Sequence, residues 1–405
     1  MPSALESLAE LIQDPALAKQ SRARVERLRL HIADTLGMML EGASLAEGKA
    51  AISLDSPLVG WCACARLTEA DDIHLTSCTT PGSVVVPTAL HFASLRVFET
   101  FGDFVTAVFA GYETLIRVGY AINGPHILAR KIWPTLFAAS VGAAAVACRA
   151  WKLDVSQTGG ALSTALAAST GIAPPATMQN SSRWISLGSA AEHGVEAAMA
   201  ARRRVIGDLQ LLERSAGRIS GVQISSRRLL EDLRTRFFFD EIGLKPYPIA
   251  RQALAAVEAC RELVGSSTKG ISAITVYLPS AQRRVIDRPA WPSNRMESIA
   301  SVQYQIALAL LAPARLREFD RTPPFETTAV RALAAKVRVR EDARFEAHYP
   351  ETWPARVIVE RSDKRKSVFV STPRGDARNP MQWEDVLSKV AAPHRARLTA
   401  IRRWE

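Results

Sequence analysis

The sequence predicts a mainly α-helical protein, in which a large all-helical domain built from both chain ends is joined to a smaller α+β domain. Three observations lead to this prediction. Apolar residues recur at helical spacing through the first half, residues 271–371 contain four short segments of strand composition, and a helical pattern returns after residue 375. At about 150 residues per domain, a chain of 405 residues predicts two to three domains.

The composition is that of an ordinary globular protein, because 48% of the residues are hydrophobic and 22% are charged. It excludes disorder, collagen and coiled coil as descriptions of the whole chain. The formal net charge of +11 could suit nucleic acid, anionic lipid or an acidic small substrate. No zinc-finger, RNP or basic-zipper pattern accompanies the short basic runs, so we expect a solvated basic surface and no nucleic-acid partner.

The first helices follow from the spacing of apolar residues. Ser21 suits an N-cap. Gly37 lies inside the helix that follows, where it costs stability relative to Ala, which indicates close packing against a neighbour. The apolar residues of this helix recur mostly three and four positions apart, at Val25, Leu28, Ile32, Leu36, Met39 and Leu40. Further helices are predicted over residues 104–118, 136–151, 161–169 and 189–205.

Neither a membrane span nor a secretory signal is predicted. The densest apolar stretch, residues 136–148, is shorter than the ~20 residues that a bilayer span requires. The N-terminus lacks a basic region followed by an apolar one, and the five cysteines show no CxxC spacing. We therefore expect a cytoplasmic protein with reduced cysteines, no structural metal and no membrane partner.

The pattern changes near Gly243, where helices begin to mix with segments rich in Val and Ile. Strands are predicted at residues 271–278, 336–340, 356–360 and 367–371, and helices at 249–264, 296–311 and 383–390. We therefore expect residues 1–243 and 376–405 to form the all-helical domain, and residues 244–375 to form the α+β domain.

Four polar clusters could carry chemistry. The first contains Asp71, Asp72 and His74, followed by Thr80 in a T-P-G-S run. Carboxylates beside an imidazole can perform acid–base chemistry or bind a metal, although no second histidine lies at ligand spacing. The alternative is a polar loop in which Thr79 or Thr80 caps the next helix.

The second and third clusters contain tryptophans. Lys131 follows Arg130 just before the Ala-rich helix. These two cations and Trp133 could bind an anion at the start of that helix. The alternative is a surface pair beside a packed indole. Arg183 lies in an S-S-R-W run with His193 downstream, and a lone histidine of this kind is more often structural than catalytic.

The fourth cluster is the K-P-Y-P run at residues 245–248 together with Arg251. Pro248 suits the first turn of a helix, so Lys245 and Arg251 would flank a helix N-terminus. The helix dipole disfavours cations there by about 0.3–1 kcal/mol. An anion bound between them would explain their position, and an arginine that faces water is the alternative.

In this order, the clusters resemble the MmgE/PrpD family, which includes 2-methylcitrate dehydratases, cis-aconitate decarboxylases and iminodisuccinate epimerases. The similarity extends over nearly the whole chain. The motifs that carry it are D-T-L-G at residues 34–37, D-D-x-H at 71–74, P-G-S at 81–83, A-G-Y-E at 110–113, K-P-Y-P at 245–248 and P-x-G-D-x-x-N-P at 373–380.

The resemblance implies a homodimer in which the α+β domain is a lid, the active site lies between the domains, and no metal or organic cofactor is used. It also implies that the substrates are small di- and tricarboxylates. With the clusters above, it gives the candidate catalytic residues His74, Asp71, Asp72 and Tyr304. The candidate substrate-binding residues are Thr80, Lys131, Arg183, Lys245 and Arg251.

The chain departs from the family pattern mainly by losing imidazoles. Family histidines correspond here to Thr80, Trp133, Ser186 and Leu254, and a family lysine corresponds to Arg183. An arginine stays protonated near neutral pH, and neither a hydroxyl nor an indole titrates there. The cations of the pocket are thus retained, while most of the proton-transfer groups are replaced.

The function expected first is a cofactor-independent lyase of the dehydratase or decarboxylase type. His74 or a neighbouring carboxylate would abstract a proton next to a substrate carboxylate, and Tyr304 would act as the acid. The arginines and Lys245 would hold the substrate and stabilise the developing enolate charge. Two alternatives remain open: an isomerase or epimerase that begins with the same proton transfer, and a non-catalytic carboxylate-binding homologue.

Overall fold

The structure is a computed structural model that describes residues 2–172, 181–265, 267–322, 324–362 and 364–403. It is mainly α-helical, as predicted. The α-helices are α1 (Ala4–Gln13), α2 (Arg22–Ser44), α3 (Ala46–Ile52), α4 (Pro57–Leu67), α5 (Gly82–Ser94), α6 (Phe101–Ala121), α7 (Gly124–Ala129), α8 (Pro134–Ala150), α9 (Val155–Ala167), α10 (Ser182–Arg202), α11 (Leu211–Arg214), α12 (Ser226–Leu229), α13 (Leu254–Val264), α14 (Ser280–Ile286), α15 (Arg295–Ala300), α16 (Val302–Leu311), α17 (Pro313–Leu316), α18 (Thr328–Ala334), α19 (Trp383–Ser388) and α20 (Ala392–Ile401). The strands are β1 (Asp72–His74), β2 (Arg218–Ile219), β3 (Val222–Gln223), β4 (Ile242–Leu244), β5 (Ile271–Leu278), β6 (Val337–Glu341), β7 (Ala355–Arg361) and β8 (Lys364–Val370).

Contacts divide the described residues into two compact units. The first unit contains the described parts of Met1–Pro174, Ser181–Leu244 and Gln382–Glu405, and it holds helices α1–α12, α19 and α20. The second unit contains the described part of Lys245–Met381 and all four strands of the larger sheet. The use of the second unit as a lid over an active site stays a prediction.

Helix α2 forms as its sequence predicts, because the Ser21 hydroxyl accepts a hydrogen bond from the Arg24 backbone N–H at 3.3 Å. The close packing expected at Gly37 is confirmed. A Cβ atom at this position would lie 2.8 Å from Val390 Cγ1 and 3.1 Å from Leu398 Cδ1. The last segment of the chain therefore packs directly on the backbone of α2.

The Ala-rich helix α8 is buried along almost its whole length. It packs against α6, α9 and α10 of the same unit, and its small side chains allow this close approach. None of the helices in the described ranges is both long and apolar enough to cross a membrane. All five cysteines are buried, and none of them forms a disulfide.

Two predicted helices differ from those observed. The helix expected from residue 249 begins only at Leu254, after a 3-10 turn at Arg251–Ala253. Ala250 explains the delay, because its ψ of 130° is not helical and its backbone N–H donates to the Ile299 carbonyl at 3.0 Å. The helix expected over residues 296–311 is interrupted at Ser301, whose hydroxyl accepts a hydrogen bond from the Tyr304 N–H at 3.2 Å and starts α16.

The second unit is built on a four-stranded sheet of order β6-β5-β7-β8, in which only the β5–β6 pair is parallel. Alternate residues of β5, Ile274, Val276 and Leu278, are fully buried in a core that includes residues of α13 and α16. The strand predicted at residues 367–371 begins earlier than expected, because the basic residues 364–366 are the first residues of β8.

A buried ion pair anchors the C-terminal segment in the first unit. Lys389 Nζ lies 2.5 Å from Asp34 Oδ1 on α2 and donates a second hydrogen bond to the Ala70 carbonyl at 2.7 Å. The side chains of both ions are at most 2% exposed. Removing one partner of such a pair leaves a buried charge uncompensated, which costs more than removing both.

We predict that Lys389→Met lowers the free energy of unfolding by about 3–5 kcal/mol, because the Asp34 carboxylate loses this cation. The double variant Asp34→Leu/Lys389→Met should recover most of the loss in urea unfolding. Lys152→Met is the matched control, since Lys152 pairs with Glu99 at 2.7 Å on the surface, where a pair contributes about 0–1 kcal/mol. A double variant no more stable than Lys389→Met would contradict the argument.

Candidate functional site

Two arginines and two tryptophans form a buried cluster in the first unit, which we call the arginine–tryptophan cluster. The guanidinium carbon of Arg183 lies 4.7 Å from the ring centroid of Trp133 and 4.6 Å from that of Trp184. The corresponding atom of Arg66 lies 5.5 Å from each ring. All four residues are less than a tenth exposed. The indole faces thus offset part of the desolvation of the two cations.

Three helix ends position this cluster. Arg66 lies in the last turn of α4, Trp133 is the N-cap residue of α8, and Arg183 and Trp184 lie in the first turn of α10. The backbone N–H of Trp133 donates to the Gly171 carbonyl at 2.9 Å, so the loop at residues 171 and 172 holds Trp133 in place. The cluster is therefore held by backbone geometry as well as by side-chain packing.

Carboxylates balance the cations of the cluster. Arg66 Nη1 lies 2.7 Å from Glu69 Oε2 and 3.3 Å from Asp71 Oδ1. Glu69 has a backbone φ of 55°, which residues other than glycine rarely adopt. This conformation accompanies the placement of its carboxylate beside Arg66. Burial lowers the pKa of Arg183 to about 10, while Glu69 opposes this shift, so the guanidinium stays charged near neutral pH.

Asp72 is the second aspartate of the D-D pair, and it is completely buried. The Gly82 N–H donates to its Oδ1 and Oδ2 atoms, at 3.0 and 3.1 Å. A Cβ on Gly82 would lie 2.6 Å from Asp72 Oδ2 and 2.8 Å from the Tyr112 hydroxyl, so only glycine fits. Burial, and then the Asp71 carboxylate, raise the pKa of Asp72 to about 8. Asp72 is thus a proton donor near neutral pH.

His74, the expected base, is held by other protein groups. Its Nδ1 atom lies 2.8 Å from Ser77 Oγ, and its Nε2 atom lies 3.5 Å from Glu241 Oε2. Its backbone pairs with Ile242 of β4 and with Thr79. Burial lowers the pKa of His74, so the ring is neutral near pH 7. These contacts favour a structural role for His74 in fixing the loop after β1.

The remaining predicted residues of the first unit differ in their surroundings. Thr80 is buried, and its N–H donates to Thr135 Oγ1 at 3.1 Å. The expected helix cap at Thr79 or Thr80 is wrong, because Pro81 occupies the N-cap position of α5 and no side chain caps it. Lys131 is exposed and has a φ of 66°, and its side chain makes no ion pair within the described part of the chain.

Three predicted site residues lie in the second unit, and all are buried. Arg251 Nη2 lies 3.0 Å from Asp376 Oδ2, so the anion that faces this cation is a carboxylate of the protein itself. The idea that Arg251 and Lys245 flank the start of a helix is wrong, since α13 begins only at Leu254. The Tyr304 hydroxyl donates to the Phe325 carbonyl at 3.1 Å, and burial raises the pKa of Tyr304.

Arg66 is a site residue that the sequence analysis missed. A signal was present, because it is the only charged residue of the apolar helix Pro57–Leu67. A lone charge among apolar residues is almost never fully buried unless it has a partner. A buried Arg66 in this helix would therefore need a carboxylate nearby. Asp376 was seen as part of a motif, but its pairing with Arg251 joins positions 125 residues apart that no local pattern connects.

Two family domains match the chain. The MmgE/PrpD N-terminal domain matches residues 61–226, and the MmgE/PrpD C-terminal domain matches residues 247–403. The chain belongs to the MmgE/PrpD family. A search of the curated proteins found no match.

The match to the MmgE/PrpD N-terminal domain contains the whole arginine–tryptophan cluster. Within that match, the Arg183 guanidinium lies over the ring of Trp133, fifty positions earlier in the chain. No group of three or more His, Cys, Asp or Glu side chains in the described ranges could hold a metal ion.

The raised pKa of Asp72 predicts a pH-dependent stability. In the unfolded chain an aspartate has a pKa of about 3.9, so between pH 4 and 8 the native state binds one more proton. Asp72 therefore makes the protein less stable as pH rises, by at most ~1.4 kcal/mol per pH unit. We expect Asp72→Asn to remove this dependence, so that wild type loses stability relative to the variant from pH 5 to pH 8.

Urea unfolding at pH 5, 6, 7 and 8 measures this difference. Asp55→Asn is the control, because Asp55 is exposed and its substitution should shift stability equally at every pH. If the stability difference between wild type and Asp72→Asn instead stayed constant from pH 5 to pH 8, the carboxyl would be ionised in the native state.

The buried Arg251–Asp376 ion pair predicts a large loss of stability when Arg251 is removed. Arg251→Ala should lower the free energy of unfolding by about 3 kcal/mol, since the Asp376 carboxylate stays buried. Arg378 also contacts Asp376, with Nε at 3.0 Å from Oδ1, but its side chain is 50% exposed. Arg378→Ala should therefore cost about 1 kcal/mol or less. Equal losses in the two variants, measured by thermal unfolding, would contradict this ranking.

Proposed function

We propose that the protein is a cofactor-independent lyase that acts on a small di- or tricarboxylate by abstracting a proton next to a carboxylate. Family membership suggests a dehydratase-type lyase. One observation carries the proposal to this chain: the region that matches the N-terminal family domain contains a buried guanidinium, Arg183, that packs on two indoles and interacts with the Glu69 carboxylate.

In this proposal Arg183 binds a carboxylate of the substrate. Contacts with Trp133 and Trp184 fix the guanidinium plane, and a fixed guanidinium can bind a carboxylate through two parallel hydrogen bonds. The neighbouring Thr80 hydroxyl, 3.3 Å from Thr135 Oγ1, can contribute a further hydrogen bond. A cation in this position also stabilises the enolate that forms when the adjacent carbon loses its proton.

The aspartate pair supplies the acid and the base. The Asp71 carboxylate accepts the proton as the substrate C–H bond breaks, and the electron pair forms the enolate. Asp72, with its pKa near 8, returns a proton to the hydroxyl that leaves as water when the β C–O bond breaks. Two neighbouring carboxyl groups in different surroundings can divide the work in this way, and Asp71 differs from Asp72 by its contact with Arg66. Tyr304 as the acid, and Lys245 as a substrate ligand, stay predictions from the sequence.

A non-catalytic carboxylate-binding protein is the second candidate, and one observation favours it. The imidazole of His74 contacts Ser77 and Glu241 through its two nitrogens, and the positions of the family histidines carry Thr80 and Trp133. An isomerase or epimerase would begin with the same proton abstraction as the lyase. These three functions differ in what happens to the substrate proton.

Hydrogen exchange distinguishes the three functions. The protein is incubated in D₂O with a panel of small di- and tricarboxylic acids, and the acids are then analysed by NMR and mass spectrometry. Unsaturated product supports the lyase, and deuterium uptake without loss of substrate supports the isomerase. If no acid is exchanged or consumed while some bind in calorimetry, the binding protein is supported.

We predict that cis-aconitate and 2-methylcitrate are poor substrates, because the groups that replace the family histidines do not titrate near neutral pH. For the acid that is turned over, Arg183→Lys should lower kcat/KM by 10-fold or more, since a lysine cannot make the bidentate contact. Lys152→Ala, at an exposed lysine outside the candidate site, is the control and should change kcat/KM less than 3-fold. Rapid turnover of either acid, or equal effects of the two substitutions, would show that the roles are misassigned.

A further inference from the structure

The four-stranded sheet of the second unit has one face that does not belong to the hydrophobic core. Side chains alternate between the two faces of a strand, and Ile274, Val276 and Leu278 of β5 lie in the core. Tyr277 therefore lies on the opposite face, which we call the basic sheet face. Its cationic and aromatic members are Tyr277, Arg338, Arg340, Arg356, Arg365 and Phe369.

Strand pairing arranges these residues in rows across the sheet. Arg340, Tyr277, Arg356 and Phe369 are direct neighbours on β6, β5, β7 and β8, in that order. Neighbouring strands lie about 4.8 Å apart, so this row extends over roughly 14 Å. Arg338 lies two residues before Arg340 on β6, about 7 Å along the strand. Cations and rings thus alternate across the whole width of the sheet.

The members of this row are accessible to a ligand. Arg340 is exposed, Tyr277 and Arg356 are half-buried, and Phe369 is 45% exposed although its side chain is aromatic. The guanidinium carbon of Arg356 lies 5.4 Å from the Tyr277 ring centroid. The Phe369 ring packs against Phe345, with 5.2 Å between the ring centroids. The row therefore presents a ring and a ring-supported guanidinium to the solvent.

Cations outnumber carboxylates on the basic sheet face. Among the described residues of the four strands, Glu360 is the one carboxylate on this face, and its Oε1 atom lies 3.7 Å from Arg365 Nε. Asp342, which follows β6, pairs with Arg344 at 2.6 Å. The exposed Arg338 and Arg340 form no ion pair within the described ranges, so these two cations are free to bind an anion.

Protection of a sheet edge accounts for only some of these arginines. Charged side chains on an edge strand hinder pairing with other chains, and β6 and β8 are the two edges of this sheet. Arg356 lies on the interior strand β7, beside Tyr277 on the interior strand β5. A cation on a ring in the middle of an open face indicates a surface that recognises a ligand.

We propose that the basic sheet face binds single-stranded nucleic acid. Unpaired bases stack on aromatic rings and on guanidinium planes, and Phe369 and Arg356 supply one of each. Arg338 and Arg340 bind phosphates along β6. A four-stranded sheet with aromatic side chains on its surface can accommodate two or three stacked bases. This inference is independent of the proposed lyase function.

The sequence alone predicted no nucleic-acid partner, because no motif of a nucleic-acid-binding domain accompanies the basic runs. The basic sheet face is assembled from four strands that are separated along the chain, so no local motif could indicate it. An acidic protein or an anionic membrane would be attracted by the same arginines. The alternation of rings and cations favours a ligand that carries both flat bases and phosphates.

Fluorescence anisotropy of the full chain with labelled oligouridine RNA and oligothymidine DNA tests this proposal. If Arg338 and Arg340 each neutralise one phosphate, they add about 1.4 to the magnitude of the slope of log affinity against log salt. A rise from 50 to 200 mM NaCl should then weaken binding about 7-fold or more. Binding of either oligonucleotide with this salt dependence supports the proposal, and tighter binding of the RNA would indicate contacts with the 2′-hydroxyl.

Variants separate the phosphate contacts from the stacking contact. Arg338→Gln/Arg340→Gln should weaken binding about 10-fold and lower the magnitude of the salt slope by about 1.4. Phe369→Ala should weaken binding about 5-fold or more and leave the slope unchanged, because it removes a ring and no charge. Phe369→Trp should restore the affinity. Arg203→Gln/Arg204→Gln is the matched control, since it removes the same charge from exposed residues of the first unit and should retain binding.

Three results would overturn the proposal. The first is that neither oligonucleotide binds wild type at 50 mM NaCl. The second is an equal loss of affinity in the two double arginine variants, which would show that net charge alone attracts the ligand. The third is that polyglutamate or phosphatidylglycerol vesicles bind as tightly as the oligonucleotides while Phe369→Ala changes no affinity. The partner would then be an acidic protein or a membrane.

Discussion

The ion pair between Asp34 and Lys389 is the interaction on which the helical unit depends. It joins the second helix of the chain to a segment 355 residues later, in a place where both side chains are withdrawn from water. The attraction between the two opposite charges, 2.5 Å apart, offsets the free-energy cost of removing both from water. The packing of Val390 and Leu398 on Gly37 follows from the same close approach.

Pairing of buried charges also shapes the other functional regions. Arg66 pairs with Glu69 and Asp71, three and five residues later, whereas Arg251 pairs with Asp376, 125 residues later. These pairs fix the loops that follow helix α4 and strand β8, and both loops carry family motifs. The motifs of this chain are therefore, in large part, the partners of buried charges, and Asp72 is an exception because it relieves its burial by keeping a proton.

The helical class, the helix after Ser21 and the strand at residues 271–278 could be predicted from the sequence, because apolar periodicity and capping are local signals. The late start of α13 was missed, since it depends on the hydrogen bond from the Ala250 N–H to the Ile299 carbonyl, a contact between distant positions that no local pattern encodes. Arg183 was singled out from the sequence as a substrate-binding candidate, a role that stays a prediction, and its stacking depends on Trp133, fifty residues earlier. Contacts of this kind, and the pKa of Asp72, depend on burial that no local pattern encodes.

The packing of Arg183 on two perpendicular indoles has a consequence for how this cluster tolerates substitution. The Trp133 and Trp184 rings meet edge to face, with 84° between their planes, and the guanidinium lies against both. A smaller residue at position 133 alone would remove one of the two rings from a buried guanidinium. Positions 133 and 183 therefore share one packing environment, and the effects of substitutions at the two positions on stability should be non-additive.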